Sequence, residues 1–290
     1  MAADLNQNAR GAPHANQNQT TRTRTMSNPF FSGVGGILSA DIAVPEHDRE
    51  LSFYSRVLTT GENPLWRDDL MNNLGMPIIG LGARIAEYEM LPLQWMPHIQ
   101  VADVATSVAR ALELGGEELM RSKDEGEKSQ WAVLLDPNGA AFGIIPVVPA
   151  ESISPDDGGA SRDAAERAGC ISWLNLTAPD ALATRDFYRQ VVGWSVQNVE
   201  MEDAKDAYID YDMLGDDGNS AARVCHARGA HLGLPPVWLV HLPVGDLPES
   251  LRRVREGGGE IIKATQKPDG AYASAVVQDP VGACLALVPG

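Results

Sequence analysis

Histidine is the side chain best suited to acid–base chemistry near neutral pH, because its ordinary pKa lies there. The sequence holds six histidines, and two of them occur in the same context, Trp-x-x-His. His98 follows Trp95 at this spacing, and His241 follows Trp238. A positioned imidazole can accept or return a proton during a reaction. The first candidate chemistry is therefore proton transfer at one or both of these histidines.

Cysteine offers a second kind of chemistry, but the pattern here argues against it. The cysteines show no Cys-x-x-Cys spacing, and they are Cys170, Cys225 and Cys284. This usage fits a reducing compartment better than a disulfide scaffold, so we expect a cytoplasmic protein. Cys284 has no histidine or basic partner near it in the sequence, and we interpret it as a buried, inert thiol rather than a nucleophile.

Both histidines of interest belong to an internal repeat. Residues 77–147 align with residues 220–290 without a gap, at a constant offset of 143, and 19 of the 71 aligned positions are identical. Ordinary residue frequencies would give about 4 or 5 identities by chance. Solenoid repeats have periods of about 20–50 residues. A period this much longer indicates two copies of one domain.

Composition separates the two domains from the rest of the chain. The first 28 residues are rich in Asn, Gln, Thr and Arg, and we interpret residues 1–33 as a disordered tail. Residues 149–168 are rich in Ser, Pro, Asp and Gly, which is typical of a linker. Domain 1 is then predicted over 34–148 and domain 2 over 169–290.

Periodicity predicts the same element order in both domains. A strand leads into a helix that carries a Phe-Tyr pair, and a second strand leads into a helix that ends in Gly-Gly. A hairpin with an Asp-Pro-x-Gly turn follows. The predicted strands and helices are 36–44, 46–58, 95–101 and 103–114 in domain 1, and 170–177, 180–192, 238–244 and 246–256 in domain 2. We interpret the Phe-Tyr pairs and the tryptophans of the Trp-x-x-His motifs as core.

Charge and hydropathy exclude two classes of partner. The net charge is -16 and the sequence pI is about 4.7. A nucleic-acid-binding protein usually carries a basic stripe, and none is visible, so we expect no nucleic-acid partner. No apolar run reaches the roughly 18 residues of a membrane span, and the N-terminus lacks the apolar core of a secretory signal. We therefore expect a protein without membrane association.

The element order resembles that of the vicinal oxygen chelate superfamily, which includes glyoxalase I, bleomycin-resistance proteins and extradiol dioxygenases. An acidic residue stands seven positions before each Phe-Tyr pair, at Glu46 and Asp180, and Val-x-Asp, Gly-Gly and Asp-Pro-x-Gly follow in order, twice. The resemblance implies an α+β fold of two tandem glyoxalase-like domains. Each would consist of two βαβββ units that form a curved, cup-like mixed sheet around a small-molecule cavity.

In catalytic members of this superfamily, His or Glu side chains hold a divalent metal in the cup. Carried over by position, these ligands fall on Ser39, Met96 and Gly143 in domain 1 and on Trp173, Leu239 and Ala286 in domain 2, with a fourth-strand position around 79–81 or 222–224. None of these residues supplies the imidazole or carboxylate that such an ion prefers. We therefore expect neither a metal nor another cofactor.

If the ligand positions of the superfamily face the cavity, so do both histidines, because residues two apart on a strand share a face. His98 then lies on the face of Met96, and Asp41 lies on the face of Ser39. An imidazole held by a carboxylate is a usable general base. Asp41 and His98 are thus the predicted catalytic pair, and the alternative is that His98 is a hydrogen-bonded core residue.

Domain 2 would place Asn175 beside His241, and an amide orients the ring but adds less basicity than a carboxylate. Trp173 would either fill the place of the metal or stack on a planar ligand. The predicted ligand-binding residues of the two cups are Ser39, Met96, Trp173, Asn175, Leu239, His241 and Cys284.

Two further polar groups are expected to be solvated. Tyr208, Asp210 and Asp212 alternate along a predicted strand and indicate an exposed polar face, with the mouth of the cavity as the alternative. His226 and His231 lie in a loop-like segment without an acidic residue near them in the sequence. We therefore expect no metal site there.

Two classes of function stay open at this stage. The first is a small-molecule-binding protein with metal-independent lyase or isomerase activity, in which His98 acts as acid and base. The second is non-catalytic sequestration of an aromatic or hydrophobic metabolite. Asp41 beside His98 favours chemistry, whereas Trp173 favours binding. The expected partner is a small molecule, and either a monomer or a homodimer fits the sequence.

Overall fold

The computed structural model describes residues 31–66, 79–150 and 171–290, which form two mixed β-sheets and four α-helices. The helices are α1 (His47–Leu58), α2 (Val104–Glu113), α3 (Ala181–Val192) and α4 (Leu247–Glu256). The strands of domain 1 are β1 (Ile37–Val44), β2 (Ile79–Ala83), β3 (Met96–Val101), β4 (Glu117–Lys123), β5 (Ser129–Leu135) and β6 (Ala141–Pro146). Those of domain 2 are β7 (Trp173–Ala178), β8 (Ser195–Glu202), β9 (Ala207–Leu214), β10 (Ser220–His226), β11 (Trp238–Val244), β12 (Glu260–Gln266), β13 (Tyr272–Gln278) and β14 (Cys284–Pro289). None of these helices has the length and apolarity needed to cross a membrane.

Each sheet joins two units through their first strands. In domain 1 the strand order is β2-β1-β3-β6-β5-β4, and β1 pairs antiparallel with β3. In domain 2 the order is β12-β13-β14-β11-β7-β10-β9-β8, and β7 pairs antiparallel with β11 in the same way. Both units of domain 2 are complete βαβββ units, as is the second unit of domain 1. The first unit of domain 1 shows β1, α1 and β2, and residues 67–78 lie outside the described ranges. The predicted α+β fold of two tandem domains is confirmed.

Aspartate side chains cap three of the helices. Oδ1 of Asp103, Asp180 and Asp246 accepts the backbone N–H three residues later, at 2.7, 3.0 and 2.9 Å respectively. Each bond satisfies an N–H that has no partner within the helix. The acidic positions that predicted where these helices begin therefore act as N-caps.

The two domains pack through their helices, α1 against α4 and α2 against α3. Aromatic rings fill this interface. Phe142 of domain 1 meets Phe187 and Tyr188 of domain 2 edge to face, with ring centroids 6.1 and 5.1 Å apart. Such geometry is favourable for aromatic pairs and buries a large apolar area. Since the helical layers face each other, the opposite face of each sheet is left for a cup.

A buried tyrosine of domain 1 is bonded to domain 2. Tyr54 of α1 donates its hydroxyl hydrogen to Oδ2 of Asp279 at 2.7 Å, and its oxygen accepts Nε1–H of Trp95 at 3.1 Å. All three side chains are buried. The Phe-Tyr pair and the tryptophan, predicted to be core residues, are thus also part of a hydrogen-bond chain between the domains.

An equivalent series of hydrogen bonds runs from domain 2 to domain 1. Tyr188 of α3 accepts Nε1–H of Trp238 at 2.9 Å and donates to Oδ2 of Asp136 in domain 1 at 3.4 Å. Burial, reinforced by the nearby carboxylate, raises the pKa of Tyr54 and of Tyr188 well above the usual range of tyrosine. Both hydroxyls therefore remain protonated and can donate.

The aspartate of each Asp-Pro-x-Gly turn serves both domains. Oδ1 of Asp136 accepts the backbone N–H groups two and four residues later, at 2.8 and 2.9 Å. Oδ1 of Asp279 does the same at 3.1 and 2.7 Å. One carboxylate oxygen thus holds the local turn while the other reaches the tyrosine of the partner domain.

A glycine pair follows α2 and another follows α4, and the two glycines of each pair are required for different reasons. Gly115 and Gly258 have φ angles of +87° and +88°, which glycine adopts without steric cost. A Cβ on the second glycine of each pair, Gly116 or Gly259, would lie 3.2 or 3.1 Å from a phenylalanine ring of the other domain. The Gly-Gly motif therefore ends a helix and also admits the partner domain.

The N-terminal boundary of domain 1 lies earlier than predicted. The side chain of Gln100 donates to the carbonyl of Phe31 at 2.7 Å, and the Phe31 ring packs against the core. The hydroxyl of Ser32 donates to the carbonyl of Val148 at 2.5 Å. Residues 31–33, assigned to the tail from composition, thus belong to the folded part. Residues 1–30 and the predicted linker from 151 onward lie outside the described ranges.

We predict that Tyr54→Phe destabilises the protein by about 1–3 kcal/mol, because it leaves a buried carboxylate oxygen and a buried indole N–H without their partner. The measurement is the free energy of unfolding in urea. Tyr188→Phe is the matched control, since it removes the same atom at a longer bond of 3.4 Å, and it should cost less. An equal or larger loss in Tyr188→Phe would contradict this assignment.

Glu50 of α1 is a buried carboxyl at the same interface, and within the described residues neither of its oxygens has a hydrogen-bond partner. Burial, and then the charge of Asp279, raise the pKa of Glu50 from 4.5 to about 7. Between these two pH values the folded protein holds a proton that the unfolded chain has released. The contribution of Glu50 to the unfolding free energy therefore falls as the pH rises from about 4.5 to 7.

Glu50→Gln cannot lose that proton, so we predict a flatter pH dependence of the unfolding free energy between about pH 5 and 7.5. Above the folded-state pKa the variant should be more stable than the wild type. Chemical denaturation at several pH values measures both effects. Asp48→Asn removes a fully exposed carboxyl from the first turn of the same helix and should leave the slope unchanged. Parallel curves for wild type and Glu50→Gln would refute the prediction.

Candidate functional site

The exposed face of the domain 1 sheet holds a cavity of about 470 Å³. Its lining includes His98 and Met96 of β3, Asp41 of β1, Gly143 of β6 and Gly82 of β2. These residues come from the four adjacent strands at the middle and one edge of the sheet. The cavity is therefore the cup of domain 1, and it contains both members of the predicted catalytic pair.

A polar triad lies at the floor of this cup. Nδ1 of His98 is 3.2 Å from Oγ of Ser39 and 3.4 Å from Oδ2 of Asp41. The three residues meet because β1 and β3 pair with Ser39 opposite His98. A proton on Nδ1 directed at these oxygens leaves the lone pair on Nε2. The structure thus brings the predicted pair to one face, in a geometry that suits a general base.

The environment of Asp41 couples the two groups. Burial raises the pKa of Asp41, while the charge of His98 opposes the rise. The side chains of Asp41 and His98 are 22% and 24% exposed, so the pair borders the cavity without being open to bulk water. The Asp41 carboxyl therefore lies against the Nδ1 side of the His98 ring at the border of the cavity.

Gly143 makes room for the His98 ring. A Cβ built on Gly143 would lie 2.4 Å from Cδ2 and 3.1 Å from Nε2 of His98. In domain 2 the matching residue is Ala286, which lies opposite His241. The two rings differ accordingly, since His98 turns Nδ1 toward its first strand and His241 turns Nε2. The glycine thus permits the ring orientation seen in domain 1.

Apart from the triad, the cup of domain 1 is apolar. Leu91, Met96 and Val133 form a buried cluster on this face, and Tyr88 and Met120 pack against it. All five side chains line the cavity. Walls of this kind bury apolar ligands, while a few polar groups fix their orientation.

Two glycines of β2 leave space in this cup. Gly80 and Gly82 line the cavity without side chains, and Gly80 lies opposite Asp41 in the sheet. A Cβ on Gly82 would meet no atom closer than the carbonyl oxygen of Ile42 at 3.8 Å. A larger residue there would therefore extend into the cavity without disturbing the backbone.

The matching histidine of domain 2, His241, lies in a different environment. Nε2 of His241 donates to Oδ1 of Asn175 at 2.5 Å. Burial, reinforced by the nearby His231, lowers the pKa of His241 to about 4. This imidazole is neutral at physiological pH and binds protons only weakly. The amide orients it, as predicted, but the pocket makes it a poor base.

Polar side chains fill the cup of domain 2. Arg223 and Cys225 of β10 stand where domain 1 has Gly80 and Gly82. Nε of Arg223 donates to Oδ1 of Asp212 at 2.6 Å. Arg223 lies opposite Asn175, just as Gly80 lies opposite Asp41. The substitution of glycine by long polar residues distinguishes the two cups.

The other ligand-binding residues predicted for domain 2 lie on β7, β11 and β14. Trp173 is opposite His241, and Leu239 is opposite Asn175, in the pairing of β7 with β11. Cys284 is buried at the start of β14, where burial and the nearby Asp279 raise its thiol pKa to about 11. Such a thiol is a poor nucleophile, which agrees with an inert role.

The metal positions implied by the resemblance do not fit an ion in either cup. They carry Ser39, Met96 and Gly143 in domain 1 and Trp173, Leu239 and Ala286 in domain 2. The hydroxyl of Ser39 is bonded to His98, and the other five side chains offer no nitrogen or oxygen ligand that such an ion would bind. We therefore assign no step of chemistry to a metal at these positions.

One sequence-based expectation is wrong for domain 2. Asp210 and Asp212 were expected on an exposed polar face, but they are 0% and 2% exposed. His226 and His231 have no acidic residue near them in the sequence, but in the fold Asp210 lies beside both. The partner comes from β9, at least 16 residues away in sequence, so no local spacing could have revealed it.

The paired sheets, their helices and the two cups are those of the vicinal oxygen chelate superfamily. The family model described as "Glyoxalase-like domain" matches residues 39–145 and 173–288. The chain therefore belongs to the glyoxalase-like domain family.

Curated relatives cover part of the chain. It is 28% identical over 131 residues to the "Anthracycline biosynthesis protein DnrV" of Streptomyces peucetius, a match over 41% of this chain and 46% of that protein. It is 26% identical over 122 residues to the "Putative glyoxylase CFP32" of Mycobacterium tuberculosis (strain CDC 1551 / Oshkosh), over 42% of this chain and 46% of that protein. These matches span less than half the length of each relative.

Among solved structures, the fold is similar to that of an extradiol ring-cleaving dioxygenase from B. fuscum. The TM-score is 0.50 and the sequence identity 12%, with 91% of this chain and 74% of that chain covered. At this identity the similarity concerns the fold alone.

We predict that Gly143→Ala displaces the His98 ring and lowers stability, although Gly→Ala in a strand otherwise stabilises by about 0.5–1 kcal/mol. The measurements are the melting temperature and the ¹H–¹³C NMR signals of the His98 ring. Gly82→Ala is the matched control, because its Cβ has open space, and it should keep the signals and the stability. An unchanged His98 spectrum in Gly143→Ala would show that the ring is not held by this contact.

Proposed function

We propose that the cup of domain 1 binds a small, largely apolar metabolite and that His98 transfers a proton on it, as in a metal-independent lyase or isomerase. The observation that carries this proposal is the contact of 3.4 Å between His98 and Asp41 within an otherwise apolar cavity of about 470 Å³. A cavity of this size suits a small organic molecule.

The proposed proton transfer uses both ring nitrogens of His98. Nε2 accepts a proton from a carbon or hydroxyl group of the ligand, while Nδ1–H stays directed at Asp41 and Ser39. The carboxylate stabilises the imidazolium that forms, because opposite charges attract strongly where water is excluded. The same nitrogen then returns the proton. Its transfer to another carbon or oxygen of the ligand gives isomerisation. Its transfer to a leaving oxygen, as the bond from that oxygen to carbon breaks and a carbon–carbon double bond forms, gives elimination, and neither reaction changes the redox state.

The walls indicate the class of ligand. Met96 and Met120 offer thioether sulfurs, which make favourable contacts with aromatic rings. Tyr88 and Trp131 add aromatic surface, and the Trp131 side chain is partly exposed. A planar aromatic or otherwise hydrophobic metabolite matches this lining. The name of the relative DnrV, which refers to anthracycline biosynthesis, supports an aromatic ligand for this chain too.

The second candidate is non-catalytic sequestration of the same class of ligand. The apolar lining favours it, since binding needs only the buried surface and one oriented polar contact. His98 would then donate or accept a hydrogen bond without transferring a proton. The two candidates share the cup and differ in what His98 does.

We predict that His98→Gln lowers proton transfer by about 10²- to 10⁴-fold while ligand binding stays within a few-fold of the wild type. The probes are planar, hydroxylated aromatic ketones. Binding is measured by calorimetry, and proton transfer by deuterium uptake from D₂O next to the carbonyl, followed by NMR. Asp41→Asn should reduce the rate less than His98→Gln, because the amide still orients the ring.

Two controls separate the candidates. His241→Gln removes the matching imidazole of domain 2 and should leave the exchange rate largely intact. Gly82→Leu should fill the cup and abolish binding in either case. Ligand binding without any exchange in the wild type would leave sequestration as the function. An equal loss of exchange in His98→Gln and His241→Gln would reject the assignment to domain 1.

A further inference from the structure

Three potential metal ligands meet beside the cup of domain 2. They are the carboxylate of Asp210 on β9, the thiol of Cys225 on β10 and the imidazole of His231, which follows β10. One ligand atom from each lies within 4.8 Å of the others. Among the residues that the structure describes, this is the only such group of three His, Cys, Asp or Glu side chains.

Two atoms of this cluster are buried and lack a hydrogen bond within the described part of the chain. They are Oδ2 of Asp210 and Nδ1 of His231, which lie 3.8 Å apart. Buried polar atoms are nearly always satisfied, and an exception calls for a water or an ion. Two metal bonds of about 2.0–2.1 Å at a tetrahedral angle place their donors about 3.3 Å apart. A small movement of the two side chains would therefore bring them to coordination distance.

The other oxygen of Asp210 is already held in place. Oδ1 accepts the backbone N–H of His226 at 2.8 Å and lies 3.2 Å from Nδ1 of the same residue. This fixes the carboxylate and leaves Oδ2 directed at His231 and Cys225. Carboxylate ligands in metal sites are typically oriented by such outer contacts. His226 is accordingly a positioning residue rather than a ligand.

We propose that Asp210, Cys225 and His231 form a zinc site with one open coordination position. A thiolate and an imidazole together favour Zn²⁺ over harder ions such as Mg²⁺ or Ca²⁺. Three protein ligands with a fourth position for water or a small anion are typical of zinc sites that are not purely structural. The His231 side chain is 19% exposed, so an ion can reach the site from its side.

The charges around the cluster are compatible with a cation. Arg223 lies nearby, but its guanidinium is paired with Asp212 at 2.6 Å. Burial lowers the pKa of His231, so its imidazole is neutral and its lone pair is available. Burial and Asp210 raise the thiol pKa of Cys225. Zinc must therefore displace the thiol proton, and affinity should fall as the pH is lowered.

This site is independent of the proposed function of domain 1. Its ligands differ from the metal positions implied by the superfamily, which carry Trp173, Leu239 and Ala286 in this domain. Cys225 lies on the same strand as the implied fourth position around 222–224, one residue beyond that range. The site stands against the sequence-based expectation that no metal binds. That expectation followed strand positions and local spacing, whereas these three ligands come together only in the folded sheet.

The test uses the full chain after treatment with a chelator, with Zn²⁺ and Co²⁺ as the probes. Calorimetry should show one Zn²⁺ per chain. Co²⁺ should give a thiolate-to-cobalt charge-transfer band and the visible bands of a tetrahedral site. Cys225→Ala should abolish the charge-transfer band. Cys225→Ala and His231→Gln should each weaken Zn²⁺ binding by more than the 10- to 100-fold expected for His226→Ala as an outer contact.

Matched controls come from the same chain. Cys284→Ala removes the second buried thiol among the described residues of domain 2, and His47→Gln removes a histidine of α1; both should bind as the wild type does. Circular dichroism verifies that each variant is folded. If Cys225→Ala does not fold, the wild-type Co²⁺ spectrum alone decides whether a thiolate is bound. Absence of the charge-transfer band, or unchanged Zn²⁺ affinity in folded Cys225→Ala and His231→Gln, would show that the cluster is only hydrogen-bonded.

Discussion

A buried tyrosine hydroxyl that finds its acceptor only in the other domain is the constraint on which the rest of this structure depends. Tyr54 and Tyr188 each lie under their own sheet, yet each donates to the turn of the opposite domain. Leaving such a donor unpaired would be costly, so the helical layers must face each other. The cups are consequently directed away from the interface, and each is formed within one sheet.

The two copies keep the same scaffold but have different cups. The Gly-Gly helix ends, the Asp-Pro-x-Gly turns and the buried Tyr–Trp pairs recur in both, because all of them lie at the interface. The floors differ, since Asp41 of one copy is matched by Asn175 of the other, and Gly80 by Arg223. One cup retains space and a histidine in contact with a carboxylate. The other holds Arg223 and Cys225 in place of the glycines, and its histidine has a pKa lowered to about 4. Duplication has thus preserved packing more strictly than chemistry.

The fold and the first cup could be predicted from the sequence because their signals are local or repeated. Capping aspartates, glycine stops and strand alternation act over a few residues, and their recurrence at one offset excludes coincidence. Strand parity was sufficient to place His98 and Asp41 on one face. The residues that contact His231 could not be predicted in this way. They depend on the register between β9 and β10, and no local sequence pattern determines that register. The burial of Asp210 could not be predicted either, because alternation along a strand does not show which face of the sheet is covered.

The space in the cup of domain 1 depends on glycines of β2. A Cβ on Gly82 would meet no atom closer than 3.8 Å, so a side chain added there disturbs little else. Evolution can therefore alter the shape of this cavity by single substitutions on β2 while β1 and β3, which carry Asp41 and His98, remain untouched. Ligand range and acid–base function are encoded on separate strands, and a lineage could change one while inheriting the other.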